Sequence, residues 1–237
     1  MNHPDLVINT GREVIARLIT DIPLCHIPMT IRLAGSLIAE AMYNKCLDGF
    51  VMPLLVRLAG NHGGDNFEKF FDLQSITTFV AKHPDADYYV TEYVDLCSAD
   101  GFFRKYRFFF IDGALLPYHL AIHDDWKVHH FRTDMVNQAW MRQEEETFLS
   151  ATHVVFDEAH QSALRAVAAA TGLNYCGIDC ALDHDGLIVI FEANAAMRVY
   201  DEYNDIFAYK RPYIARIKEA FNTMLARFAR GRGSDLL

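Results

Sequence analysis

The chain has no run of about 18 uninterrupted apolar residues, and its start lacks the charged, then apolar, then small-residue order of an export signal. These two absences predict a cytoplasmic protein with no membrane partner. It also has no excess of basic charge: 22 Lys and Arg stand against 31 Asp and Glu, a net charge of −9. Nucleic acid is thereby disfavoured as the main partner, because a polyphosphate backbone requires a basic face. Paired zinc spacing is missing from the 5 cysteines, Cys25, Cys46, Cys97, Cys176 and Cys180, whose odd number leaves at least one unpaired. They read as reduced core thiols. What is plentiful is apolar surface: 237 residues at 51% hydrophobic can bury the core of one large unit or of two small, joined lobes.

The most informative stretch is Gly172 to Met197, GLNYCGIDCALDHDGLIVIFEANAAM. An apolar approach from Tyr175 to Ile178 ends on Asp179, the turn chemistry of Ala181 to Gly186 follows, and Leu187 to Phe191 returns as an antiparallel strand. Alternation along a strand puts Glu192 and Asn194 on one face, pointing toward Asp179. Two carboxylates about 4 Å apart repel by roughly 4 kcal/mol at an effective dielectric of about 20, which a bound cation would offset. Hard oxygen donors of this kind suit Mg²⁺, which keeps waters and takes phosphate oxygens for its remaining positions. A hairpin that merely has polar ends is the alternative.

Upstream, Leu54 to Gly64, LLVRLAGNHGG, reads as a buried strand running into a glycine loop whose N–H groups can approach phosphate, since glycine has no Cβ in the way. A plain loop fits the same residues. Tyr88 to Val94 reads as a strand, and Phe102 to Ile122 as two strands joined at the Asp112-Gly113 turn. Basic residues gather at Arg104 to Arg107, with Lys105 and Arg107 on one face of the first of these strands. They could hold a small anion or be solvated edge-strand cations. Helical patterns cover Arg12 to Ile19, Leu33 to Lys45, Ser75 to His83, Gln138 to Leu149, Glu158 to Thr171 and Ile214 to Arg230, and Gly172 is a candidate helix stop. The segment His119 to Asp134, HLAIHDDWKVHHFRTD, is rich in imidazole and acids; its spacing suits a loop for acceptor recognition better than zinc.

Taken together, the Asp179 and Glu192-x-Asn194 hairpin, the Arg57 strand with its glycine loop, the Tyr88 to Val94 strand and the Arg107 strand resemble the ATP-grasp superfamily, in order, over roughly residues 1 to 225. Bacterial glutathione synthetase and ribosomal-protein glutamate ligase are the similar members. The resemblance implies an α+β fold of two lobes, each with an antiparallel sheet, and two Mg²⁺ ions on ATP held by Asp179, Glu192 and Asn194. It implies phosphate contacts from Arg12, Arg57 and the loop residues Gly60, His62, Gly63 and Gly64. Glu92, Tyr93 and Val94 would meet the adenine edge. Arg107, with Lys105 beside it, would hold the transferring phosphoryl group, and Arg57 and Arg107 would be the catalytic cations. His119 and Arg198 would face the substrates.

On this resemblance residues 1–47 are a helical linker, 48–95 a small lobe, 96–230 a larger lobe and 231–237 a basic tail. The expected activity is ligation of a carboxylate to an amine, an amino acid or a peptide, through an acyl phosphate. A lapsed or regulatory nucleotide-binding subunit is the alternative, and a kinase is a third reading. ATP-grasp ligases begin with an amino-terminal domain that this sequence does not match, so on the resemblance that domain is missing, truncated or carried by a partner chain; the aromatic stretch Phe102 to Phe110, if exposed, would favour a homodimer. Ala195-Ala196-Met197-Arg198 departs from the usual Pro-Gly or Ser-Pro after the metal Asn, on the acceptor side.

Overall fold

The computed structural model describes residues 1–43, 49–60 and 66–231. Two compact units partition the chain, one of Met1–Ile27 with Leu96–Leu237, the other Pro28–Asp95. In chain order the elements are α1 (Arg12–Leu18), β1 (Cys25–His26), β2 (Thr30–Ala34), α2 (Gly35–Tyr43), β3 (Leu54–Leu58), β4 (Phe67–Phe70), α3 (Leu73–Val80), β5 (Asp87–Glu92), β6 (Phe103–Ile111) and β7 (Ala114–His123). There follow α4 (Ala139–Ser150), α5 (Thr152–Val155), α6 (Glu158–Ala170), β8 (Tyr175–Leu182), β9 (Ile188–Asn194) and α7 (Arg211–Gly231). Among the described residues no helix is long and apolar enough to cross a membrane.

The smaller unit carries a four-stranded antiparallel sheet in the order β2-β5-β3-β4. Leu54, Val56 and Val90 on one face of it pack with Ile38 and Ile76 from the two helices. Two of these strands differ from the sequence expectation. Thr30–Ala34 is β2 rather than the lead-in to a helix from Leu33, because it pairs along its whole length with β5. Phe67–Phe70 is β4, paired with β3, and the helix after it runs Leu73–Val80 instead of starting at Ser75. Asp72 caps that helix, its carboxylate accepting from the Ser75 N–H at 2.7 Å. Nor do residues 1–47 stay together as a linker: the first 27 belong to the larger unit and the next stretch to the smaller.

In the larger unit the sheet order is β1-β9-β8-β6-β7, antiparallel except for the short β1–β9 pair. Alternation sorts its side chains cleanly. Tyr106, Phe108, Ile178, Cys180 and Ile190 face α4 and α6, and Phe148 of α4 and Phe156, just before α6, meet the Tyr106 and Phe108 rings edge-on at 4.9–5.4 Å between centroids. Phe109, Ile111 and Tyr118 face the other way and are covered by Ile214, Ile217 and Met224 of α7. Cys176 and Cys180 are buried free thiols, and burial pushes Cys176 up to about 12, so both are unreactive packing groups. Cys25 and Cys97 are also free, and Cys46 lies outside the described residues, as do 232–237 of the expected tail.

β7 is an edge strand, and α4 closes part of that edge. Glu145, 0% exposed, accepts the Leu120 N–H at 3.1 Å and the Tyr209 hydroxyl at 2.6 Å, and pairs with Lys210 Nζ at 3.1 Å. One carboxylate thus ties β7, α4 and the turn before α7. Replacing Lys210 with Met leaves that carboxylate buried without its cation, and urea unfolding should show a loss of about 3–5 kcal/mol. Lys210→Met combined with Glu145→Gln should recover much of it.

Candidate active site

The strand registers bring four of the expected side chains into one line. His119 of β7 pairs with Arg107 of β6, Arg107 pairs with Asp179 of β8, and Asp179 pairs with Glu192 of β9. Directly opposed residues share a face, so imidazole, guanidinium and two carboxylates form a transverse row with Asn194 and Lys105 two residues along their strands. A register shift flanks the row on each side, between Arg107 and Phe108 and between Asp179 and Cys180, leaving Tyr118 and Phe191 as the extra residues. Such bulges re-aim neighbouring side chains.

Asp179 is 4% exposed and would be expensive to ionise alone. Burial pushes its carboxyl up, but Arg107, bonded to both oxygens at 2.5 and 2.7 Å, with Lys105 Nζ at 3.7 Å, holds it below its ordinary value. Glu192 accepts from Arg12 Nη2 at 2.6 Å, and the other arm of that guanidinium donates to the Phe191 carbonyl at 2.8 Å. Arg12 therefore meets the bulge and the carboxylate opposite Asp179. Asn194 accepts the Ala196 N–H at 2.8 Å, a turn that fixes its amide.

Three details differ from the sequence expectation. Asp179 does not end its strand: β8 continues to Leu182, and Asp183 takes the tight turn by accepting the Asp185 and Leu187 N–H groups. β6 is an interior strand, so Lys105 and Arg107 are not edge cations, and each is largely buried. The basic cluster also divides, since Arg104 turns to the other side and is held by Glu144 at 2.5 Å and Asp100 at 2.7 Å.

Sequence reading passed over Gly177. It pairs with Asn194, and a Cβ built on it would lie 2.1 Å from Met197 Sδ and 2.8 Å from Met197 Cβ. Only glycine lets the chain after Asn194 fold back there, an approach held also by the Tyr175 hydroxyl donating to the Met197 carbonyl at 2.5 Å. Arg198, next along, is exposed.

In the smaller unit Arg57 is half-buried on β3, its guanidinium 4.9 Å from the centre of the Phe67 ring, and Gly60 follows the strand with φ +83°. His62, Gly63 and Gly64 lie outside the described residues. Glu92 ends β5, where its carboxylate accepts the Met29 N–H at 3.2 Å; Tyr93 packs against Lys69 Nζ at 4.2 Å, and Val94 is half-buried.

Two carboxylates and an amide oxygen on one face make a hard-oxygen donor set that fits Mg²⁺. Among the described residues no group of three or more His, Cys, Asp or Glu could hold a metal ion. A cation on Asp179 and Glu192 would thus complete its shell with Asn194, phosphate and water. Next to the row, the segment after β7 forms a helical turn at His130–Arg132, and the His130 ring lies 5.0 Å from that of His119.

Comparison with solved structures identifies the architecture. D-alanine–D-alanine ligase from Bacillus anthracis, in complex with ATP, superposes with a TM-score of 0.60 at 13% identity, covering 95% of this chain and 68% of that one. The chain has the ATP-grasp fold. The D-alanine–D-alanine ligase from Coxiella burnetii gives 0.57 at 11% identity over 97% of this chain and 62% of its own. ATP-grasp ligase PsnB, complexed with precursor peptide PsnA2 and AMPPNP, gives 0.52 at 14% identity over 93% and 60%. The chain spans about three fifths of the length of the first structures it matches. No family model and no curated protein sequence matches it.

Two predictions concern this row and its surroundings. Gly177→Ala should displace Met197 and cost about 1–3 kcal/mol in urea unfolding, with altered amide shifts at Asn194 to Met197. The second concerns pH. Burial first, then Lys210, Arg107, His129 and Lys105, push His130 down to about 4. Between an unfolded value of about 6.5 and about 4 the unfolded chain binds more protons than the folded one, so stability falls as pH falls through this window. Unfolding free energies at pH 7.5, 6 and 5 should decline for wild type, by about 2 kcal/mol from this residue, and decline less for His130→Gln.

Proposed function

We propose that this chain is an ATP-dependent ligase that activates a carboxylate as an acyl phosphate and joins it to an amine. The observation that carries the reading is the row itself, in which two opposed carboxylates and their arginines share one face of an ATP-grasp sheet. Asp179, Glu192 and Asn194 would hold magnesium, two ions on the family pattern. When bound, the metal shields the negative charge of the nucleotide phosphates. Arg107 and Lys105 neutralise the transferring phosphoryl group, and Arg12, beside Glu192, contacts the phosphates from the other end of the row. In the smaller unit Arg57 and Gly60 are the proposed phosphate contacts, and Glu92, Tyr93 and Val94 the proposed adenine contacts.

The chemistry needs no side-chain nucleophile. A substrate carboxylate oxygen bonds to the γ-phosphorus as the bond to ADP breaks. The amine nitrogen then bonds to the acyl carbon as phosphate leaves, taking the amine's surplus proton. The protein aligns the groups and balances charge. An amino acid or peptide is the proposed substrate class, with a glutathione synthetase-like course and a cytoplasmic setting. A nucleotide-binding subunit that grips the same magnesium nucleotide without turnover is the second reading.

Thermal melting tests the grip. Wild type should rise in Tm with ADP plus Mg²⁺ and not with either alone, and Glu192→Gln should lose that rise whatever its own starting Tm; binding at 100 times Kd adds about 2.7 kcal/mol. No rise at millimolar nucleotide would sink both readings. A rise with no ADP release across a screen of amino acids and peptides would select the subunit.

A further inference from the structure

His119 is 3% exposed, and its Nδ1 is buried with no hydrogen-bond partner among the described residues. A buried polar atom left in this way costs free energy and calls for an explanation. The ring cannot simply turn aside. It is wedged between Tyr118, 5.1 Å away between centroids, and His130, 5.0 Å away. Its strand register fixes it opposite Arg107, at the end of the row remote from the two carboxylates.

The electrostatic surroundings say what kind of group belongs there. Burial, followed by Arg107, His130, Lys210 and Lys105, holds the imidazole well below its ordinary value, so it is neutral. Three cations, Arg107, Lys105 and Lys210, stand there against two carboxylates, Asp179 and Glu145, a surplus that repels an ammonium group and attracts an anion. A neutral imidazole still offers one N–H, and in the Nδ1–H form that donor is the unpartnered atom.

Distance orders the reactants along the row. Neighbouring strands lie about 4.8 Å apart, which puts His119 about 10 Å from Asp179 with Arg107 midway. On the ligase reading the phosphoryl group sits over Arg107. The group it reacts with then lies on the far side, over His119.

We infer that His119 donates a hydrogen bond from Nδ1 to the substrate carboxylate, and then to the acyl oxygen of the acyl phosphate. The oxygen it holds is the one that does not attack phosphorus; no proton passes through the imidazole, which stays neutral in both steps. The inference rests on the ligase reading and assigns the carboxylate substrate, rather than the amine, to this end of the row.

The test is an NMR titration of protein labelled with ¹⁵N-histidine, with the His119 signals assigned by difference from His119→Gln. Acetyl phosphate, the smallest acyl phosphate, is added in the presence of Mg²⁺ and ADP, with inorganic phosphate and acetamide as comparisons. The ¹⁵Nδ1 resonance of His119 should move saturably with acetyl phosphate and stay still with the other two. His119→Leu should weaken acetyl phosphate binding about tenfold or more, and His119→Gln, which keeps an N–H donor, should recover most of it. Equal movement with inorganic phosphate would overturn the inference in favour of a phosphate subsite, and a silent resonance would overturn it outright. The Tm rise with Mg²⁺ and ADP, measured on the same samples, separates the two failures: its absence removes the ligase reading along with this one, whereas a rise with a silent His119 removes this one alone.

Discussion

A carboxylate buried in the middle of a sheet is the constraint around which the larger unit is organised. Asp179 is closed off from water on an interior strand, where an isolated charge would cost several kcal/mol. Arg107 offsets that cost because the β6–β8 register sets it directly opposite, with both ends of its planar fork on both carboxylate oxygens. The register is therefore an electrostatic condition as well as a hydrogen-bonding one. A slip of one residue would send the arginine to the aromatic face and leave the carboxylate alone. Both bulges lie beside this pair, so the strands are regular where they build the core and irregular where they aim polar groups.

The same alternation explains how the sheet carries charge without losing its core. One face is apolar except at Arg104, which Glu144 holds, and is packed by α4 and α6. The other is divided along its length. Phe109 and Ile111 lie under α7, while Arg107 and Lys105, two and four residues before Phe109 on the strand, stand on its polar stretch. Stability and chemistry thus occupy different parts of one surface. Glu145 repeats the logic at the edge, where a single buried carboxylate replaces a missing strand partner for Leu120 and recruits Lys210 as its counter-charge.

Much of this was legible in the sequence, for identifiable reasons. Period-2 alternation was enough to put Glu192 and Asn194 on one face, and the Asp112-Gly113 turn fixed the β6–β7 hairpin, with Asp112 at φ +50° and Gly113 at φ +94°. The row was not legible, because it depends on three registers at once and two of them contain a bulge that no local pattern announces. β2 and β4 were missed because short strands of 5 and 4 residues draw their identity from β5 and β3, not from their own periodicity. The Glu145–Lys210 pair joins residues far apart in sequence, within stretches that read only as polar helix and turn. Gly177 looked like any strand glycine until Met197 was seen against it.

Charge balance also bears on what the site can bind. Each carboxylate in the row already has a cation, and each of Arg12 and Arg107 already has a carboxylate. A lone polyanion would have to pull Arg107 away from buried Asp179 and Arg12 away from Glu192, and a lone divalent cation would have to displace the same arginines; either step leaves charge without its partner at a desolvation cost. A magnesium nucleotide brings both signs together. Its metal can take the carboxylates while its phosphates take the guanidinium groups, so every charge in the row is paired again after binding. On the proposed reading, selectivity for the metal–nucleotide complex over either component follows from this exchange of partners. It does not require an excess of positive charge, in keeping with a chain whose net charge is −9.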